Sequence, residues 1–281
     1  MGLRSAGEES CDTSHRSGRL TSTLWGSSLT SNTAHDQPST ASVGLRAAGW
    51  LLHLYTASGT VLALLAVVAA TDGDEVRALW ILLAALVVDG TDGMLARALR
   101  VKETIPYFDG ARLDDIVDYI TYAFVPMVLL WTGDFLPAGT WGWVLASIPL
   151  LASSYQFCRT DAKTDDHFFL GFPSYWNVVA FYVVVLGLTP AVTATILLVC
   201  AALVFVPIKY VYPSRTNSLW ALNLSLAGLW LVLYAVILAT MPDPSPLVVG
   251  LSLAYVAYYF VVSVCLTVLS SRHRARVSAG P

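Results

Sequence analysis

The sequence predicts an all-α fold, a polytopic bundle of about eight transmembrane helices, on three observations. Hydrophobic residues make up 56% of the 281-residue chain and charged residues only 12%. The mean hydropathy of +0.64 is too high for a single water-soluble core. The apolar residues also fall in long runs rather than amphipathic stripes, as they do in helices surrounded by lipid.

A helix needs about 20 mostly apolar residues to cross roughly 30 Å of hydrocarbon. Such segments lie near residues 50–70, 77–97, 114–132, 140–158, 174–189, 190–208, 219–240 and 246–269. The fifth and sixth meet at Gly187, Leu188, Thr189 and Pro190, which leaves only a tight turn between them. Trp131, Trp141 and Trp143 fall where the third span leaves the membrane and the fourth enters, as interfacial belt residues do. Residues 1–43 are rich in Ser, Thr and Gly, carry no apolar run long enough for a signal segment, and read as a disordered cytoplasmic tail. Residues 44–270 form the transmembrane domain, and 271–281 a basic cytoplasmic tail.

Loop charge orients the bundle, because short cytoplasmic loops collect Lys and Arg. Arg46 precedes the first span. Arg97, Arg100, Lys102 and Arg112 lie in the second loop, Arg159 and Lys163 in the fourth, Lys209 and Arg215 in the sixth, and Arg272, Arg274 and Arg276 in the C-terminal tail. The alternate loops hold Arg77 against Asp72, Asp74, Glu75, Asp134 and Asp243. An even number of spans then places both termini in the cytoplasm.

Several classes are excluded. A net charge of -3 gives no footing to a nucleic-acid partner. Cys11, Cys158, Cys200 and Cys265 show neither metal-ligand spacing nor a disulfide framework. No internal repeat is visible.

The chain nevertheless concentrates acid in residues 87–118, VVDGTDGMLARALRVKETIPYFDGARLDDIVD. Asp89 and Asp92 are three apart near the end of the second span, and Asp114 and Asp118 four apart at the start of the third, so each pair shares one helix face. Asp115 points about 100° away from Asp114. If the two helices pack side by side, four carboxylates meet in one polar pocket. Like charges that close are costly unless cations neutralise them. An all-oxygen set suits hard ions such as Mg²⁺ or Mn²⁺, which commonly bridge a carboxylate to substrate phosphate. Gly93 and Gly110 let a ligand approach the backbone, Ala96 keeps the face shallow, and Arg97 offers a fork for phosphate. The plainer alternative is that these aspartates cap helices or pair with Arg97 and Arg112.

DGTDGMLAR, then twelve residues, then GARLDDIVD, resembles the signature of the CDP-alcohol phosphatidyltransferases, D-x-x-D-G-x-x-A-R followed by G-x-x-x-D-x-x-x-D. The gap is longer than the eight residues of the commonest pattern and includes Pro106, so the linker is expected to break at Ile105 and Pro106. That longer gap, with TASG at 56–59, HFFLGFPSYWNVVAFY at 167–182 and VPIKYVYPSRT at 206–216, resembles the bacterial branch that uses choline as acceptor. The resemblance spans about residues 45–270. It implies the fold of that family, a two-metal site of Mg²⁺ or Mn²⁺ on Asp89, Asp92, Asp114 and Asp118, and Asp118 as general base. It assigns Gly93, Ala96, Arg97 and Gly110 to the CDP part of CDP-diacylglycerol. The implied reaction is CDP-diacylglycerol plus choline giving phosphatidylcholine and CMP, at the cytoplasmic face of a bacterial inner membrane, with membrane lipid as a further partner and a homodimer left open.

Three weaker signals accompany it. A quaternary ammonium is recognised by aromatic faces and nearby negative charge. Tyr175 and Trp176, beside acidic Asp161, Asp165 and Asp166, are the candidates, against an interfacial aromatic belt. Lys209 and Arg215 fit lipid phosphate or positive-inside charge equally well. His53, just before TASG, reads as a hydrogen-bonded structural histidine, against a catalytic one. A cation-coupled transporter would place its charges near mid-membrane with repeat symmetry. Synthases using serine or another alcohol would share the motif and differ in the acceptor pocket.

Overall fold

A computed structural model describes residues 42–162, 164, 168–212 and 220–278, with side chains as far as residue 269. Residues 1–41 of the expected tail lie outside it, and its last two residues begin the first helix. Ser42 caps that helix, its side chain accepting from the Leu45 amide at 3.3 Å. Helix α1 (Val43–Thr71) and helix α2 (Glu75–Ala98) are joined by a turn at Asp72–Asp74, where Asp74 caps α2 by accepting from the Arg77 amide. Helix α1 buries Ala63, Ala66 and Ala70 at helical spacing, small residues over which helix backbones approach closely. The opposite face of α1 presents Leu51, Leu54, Val61 and Leu64 outward, as lipid contact requires.

The linker after α2 breaks as its proline predicts. A single helical turn, α3 (Val101–Thr104), ends at Ile105, whose ψ of 65° is outside the helical range. Ile105 is fully buried and packs on Gly49, where an added Cβ would lie 2.7 Å from Ile105 Cδ1. The longer linker thus anchors on α1.

The third span is composite: α4 (Gly110–Asp118), a π-helical turn (Tyr119–Phe124) and α5 (Val125–Thr132) run on without a gap. Pro126 gives the reason for the wide turn, since its ring would clash with the Tyr122 carbonyl in a regular α-helix. Helix α6 (Thr140–Cys158) follows.

The fifth and sixth segments are shorter than their apolar runs. Helix α7 (Trp176–Val185) has 10 residues and α8 (Pro190–Val204) has 15. Ser174, with φ of 58°, delays the start of α7, and Val206 before Pro207 cannot continue α8. The residues so released form a two-stranded antiparallel sheet, β1 (Phe168–Leu170) with β2 (Lys209–Val211), pairing Phe169 with Tyr210. Gly171 makes the approach possible. Its φ is +83°, and a Cβ there would lie 2.2 Å from the Val204 carbonyl oxygen.

Helices α9 (Trp220–Ala239) and α10 (Pro246–Ser278) complete the bundle. Among the described residues four helices, α1, α2, α9 and α10, are each long and apolar enough to cross a membrane. The backbone of α10 runs on to Ser278, with neither glycine nor proline between Gly250 and Ser278 to break it, so the basic segment continues the last helix. At the centre, Phe181 stacks on Tyr234 with ring centroids 3.7 Å apart, and Trp176 is fully buried. Cys158, Cys200 and Cys265 are free thiols.

Candidate active site

Where α2 ends and α4 begins, the helices bring three of the four predicted carboxylates together. Asp89, Asp114 and Asp118, each half-buried, offer oxygens that all lie within 4.8 Å of one another. Oxygens bound to one small hard cation at about 2.0–2.1 Å sit roughly 3–4 Å apart. The three carboxylates could thus hold a metal ion, and an all-oxygen donor set suits a hard divalent cation.

Asp92 is held differently. It is 5% exposed, and its Oδ2 accepts from Thr56 Oγ1 at 2.7 Å. One residue earlier on each helix, Tyr55 Oη and Thr91 Oγ1 lie 2.8 Å apart, so α1 grips α2 through two adjacent polar contacts. Asp115 lies outside the carboxylate group and instead lines a small pocket with Gln156 and Arg159, as its helical phase requires.

The motif residues between the carboxylates fall on the same side. Arg97 is exposed and folds back over Gly93, where an added Cβ would lie 3.4 Å from Nη1, while Ala96 is half-buried beside it. At Gly110 a Cβ would meet His53 Cε1 at 2.7 Å. His53 is 8% exposed and sandwiched by Phe108 and Trp50, with ring centroids 4.4 and 5.8 Å away. The hydrogen bond expected of a structural histidine is missing at Nε2, which is buried without a partner among the described residues; ring packing holds His53 instead, and the ring sets the seat of the first turn of α4.

Two contributors escape the sequence pattern. The π-turn aims Tyr122 back at α2, where its hydroxyl donates to Asp89 Oδ2 at 2.5 Å. Pro126 signals a distorted helix there but does not say which side chain it turns inward. The second contributor is a cavity of about 590 Å³ that starts at Asp89 and Tyr122 and runs between α2, α7, α8, α9 and α10. Tyr175, Tyr212, Tyr255 and Tyr259 line it. Tyr175 lies 5.9 Å from Tyr122 and 6.2 Å from Tyr259 between ring centroids, and Phe169 stacks on Tyr212 at 4.5 Å.

The chain matches no family profile. It does align with phosphatidylcholine synthases along most of their lengths. The enzyme of Pseudomonas aeruginosa is 39% identical over 222 residues, 79% of this chain and 92% of that protein. The one from Legionella pneumophila is 39% identical over 223 residues, 77% and 87% of the two chains, and that from Borreliella burgdorferi 34% over 220 residues, 78% and 94%. This chain belongs to the phosphatidylcholine synthase family. It is a membrane-embedded transferase of phospholipid biosynthesis.

The remaining sequence candidates of this family member divide between cavity and core. Tyr175 lines the cavity. Trp176 does not, being fully buried with its indole Nε1 donating to Ser153 Oγ at 2.7 Å. The split follows from the boundary between them, since Tyr175 caps α7 with a non-helical backbone, ψ 54°, while Trp176 is its first helical residue. Lys209 is 6% exposed, its Nζ 5.3 Å from the centre of the Phe168 ring. Arg215, Asp165 and Asp166 lie outside the described residues. Asp161 is engaged by Arg159 in a bidentate pair with both contacts at 2.7 Å, and the guanidinium holds its carboxyl below the usual range.

Proposed function

We infer that this protein is a phosphatidylcholine synthase, transferring the phosphatidyl group of CDP-diacylglycerol to choline and releasing CMP. One observation carries the reading: Asp89, Asp114 and Asp118 meet within 4.8 Å at the mouth of a cavity walled by tyrosines. The carboxylates suit a diphosphate with its divalent cations. The rings suit a trimethylammonium group, which offers no hydrogen-bond donor and is held by aromatic faces.

Asp89, Asp114 and Asp118, with Asp92 one turn from Asp89, are the residues that would hold two Mg²⁺ or Mn²⁺ ions. Ions bound there would supply charge stabilisation for the pyrophosphate and the departing CMP. Asp118 accepts the proton of the choline hydroxyl as that oxygen attacks the lipid-bound phosphorus. Tyr122, by donating to Asp89, fixes one carboxylate orientation. Gly93, Ala96 and Arg97 bind the CDP moiety, with Arg97 as the planar phosphate fork, and Gly110 admits the helix start beside it. Tyr175 and Tyr259 face the choline, in place of Trp176. Arg215 supplies positive charge for lipid phosphate. The site opens to the cytoplasm of a bacterial inner membrane, where choline and CMP are soluble.

The test is a product assay with labelled choline and purified protein, with and without CDP-diacylglycerol. Labelled phosphatidylcholine and stoichiometric CMP are expected only when both substrates and Mg²⁺ or Mn²⁺ are present. Faster CMP release with serine, ethanolamine, inositol or glycerol 3-phosphate than with choline would overturn the acceptor assignment.

A further inference from the structure

Tyr175 reaches the cavity through two unusual backbone conformations in succession. Ser174 is left-handed, with φ of 58°, where a residue other than glycine is strained. Tyr175 follows with φ of -76° and ψ of 54°, and the Trp176 amide donates to the Ser174 carbonyl across it at 2.8 Å. That is an inverse γ-turn. Strained conformations persist only where the surroundings hold them, and they gather at binding sites.

What holds this turn is a buried relay from α6. The Trp176 indole Nε1 donates to Ser153 Oγ at 2.7 Å, and Ser153 Oγ donates in turn to Ser174 Oγ at 3.0 Å. All three residues are 0% exposed, so water cannot replace a missing partner. The two other serines of α6, Ser147 and Ser154, bond back to their own helix at the Trp143 and Leu150 carbonyls, a common habit of mid-helix serines. Ser153 is turned across to α7 instead. Glycine at position 174 would take the same φ without strain, but it would leave the relay open. The relay thus ties residues 174 and 176, on either side of Tyr175, to one point on α6. Between them the Tyr175 ring stands 5.9 Å from Tyr122 and 6.2 Å from Tyr259.

We propose that Ser153 and Ser174 are positioning residues for the acceptor, holding through the Trp176–Ser153–Ser174 relay the turn that presents Tyr175 to the trimethylammonium group. The assignment rests on the phosphatidylcholine synthase reading, in which Tyr175 faces choline. Neither serine lines the cavity. Their effect on choline therefore passes through the Tyr175 ring, whose attraction for a cation requires the cation over the ring face.

The experiment measures CMP release against choline and against CDP-diacylglycerol, each variant being held below its unfolding midpoint in detergent. The variants are Ser153→Ala, Ser174→Gly, Tyr175→Ala, the combination of Ser153→Ala with Tyr175→Ala, and the control Ser147→Ala. Ser153→Ala breaks the relay from α6, and Ser174→Gly breaks it while still accepting the left-handed backbone. Each should raise the choline KM about 2- to 10-fold, the range for one neutral hydrogen bond, and leave kcat and the KM for CDP-diacylglycerol nearly unchanged. Ser147→Ala should keep the wild-type values. In the combined variant the choline KM should equal that of Tyr175→Ala, since the relay acts only through that ring. An unchanged choline KM in either folded relay variant, an equal rise in KM for both substrates, or a further rise in the combined variant would overturn the assignment while leaving the synthase reading intact. So would a wild-type choline KM in Tyr175→Ala. CMP release by the wild type that does not respond to choline would instead remove the synthase reading, and the assignment with it. Should Ser153→Ala fail to fold, Ser174→Gly, alone and combined with Tyr175→Ala, decides the matter.

Discussion

Asp89 and Asp92 stand one turn apart on α2, yet one joins the carboxylate group and the other is buried against Thr56. Their common face was legible from the spacing. The hydrogen bond that separates them was not, because it depends on the register of α1 against α2. Asp89→Asn, Asp114→Asn and Asp118→Asn are each expected to abolish turnover in protein that still folds, whereas Asp115→Asn retains most of it. Wild-type-like CMP release from any two of the first three would sink the metal assignment. EDTA should abolish activity, with Mg²⁺ or Mn²⁺ restoring it and Ca²⁺ doing so poorly, since its longer bonds misplace phosphate. Full rates in excess chelator would reject this. Tyr175 and Trp176 make a sharper pair. A cation–π contact contributes about 0.5–2 kcal/mol, so Tyr175→Ala should raise the choline KM roughly 2- to 30-fold and spare CDP-diacylglycerol. Trp176→Ala removes a fully buried ring and should cost about 3–5 kcal/mol of stability. A thermal shift in Tyr175→Ala as large as in Trp176→Ala would defeat the distinction.

At the scale of elements, long apolar runs marked the helices and Pro106 marked the break in the linker. The π-turn and the sheet were hidden. Short apolar stretches around residues 168 and 209 carry no period that separates strand from helix, and their pairing joins segments about forty residues apart. The shortening of α7 follows from Ser174, whose left-handed backbone only the packed structure reveals. What positions α4 is its seat on α1. A Cβ at Gly59 would lie 2.5 Å from Val117 Cγ1, and Val117 precedes Asp118. Valine is stiff at χ1, so the helix must move instead of the side chain. Gly59→Val is therefore expected to cost about 1–3 kcal/mol through overpacking and to lower kcat more than it raises the KM for either substrate. Gly44→Val, with nothing within 4 Å of its Cβ, should leave both unchanged. Equal kinetics in the two variants would show that Gly59 does not set the Asp118 position.

For the whole molecule, composition alone identified a membrane protein, and loop charge alone supplied a direction. The direction has a chemical consequence. The end of α2, the segment that follows it and the start of α4 carry Arg97, Arg100, Lys102 and Arg112 close to the carboxylates, so catalysis there predicts a site on the positively flanked side. The opposite turns, at Asp72–Asp74 and around Asp243, carry acid instead. If α10 ends in the cytoplasm, a cysteine at its last turn is shielded in intact spheroplasts, while one at Asp243 is open to the outside. In a background with the four native cysteines replaced, Ser278→Cys should react with a membrane-impermeant maleimide only after permeabilisation, and Asp243→Cys before it. Choline-dependent synthesis in inverted vesicles, without permeabilisation, should accompany that pattern because acceptor and product CMP meet the site from the cytoplasm. Labelling of Ser278→Cys from outside would reverse the bundle and place the carboxylates on the side away from the soluble pools, leaving choline delivery as a separate transport step.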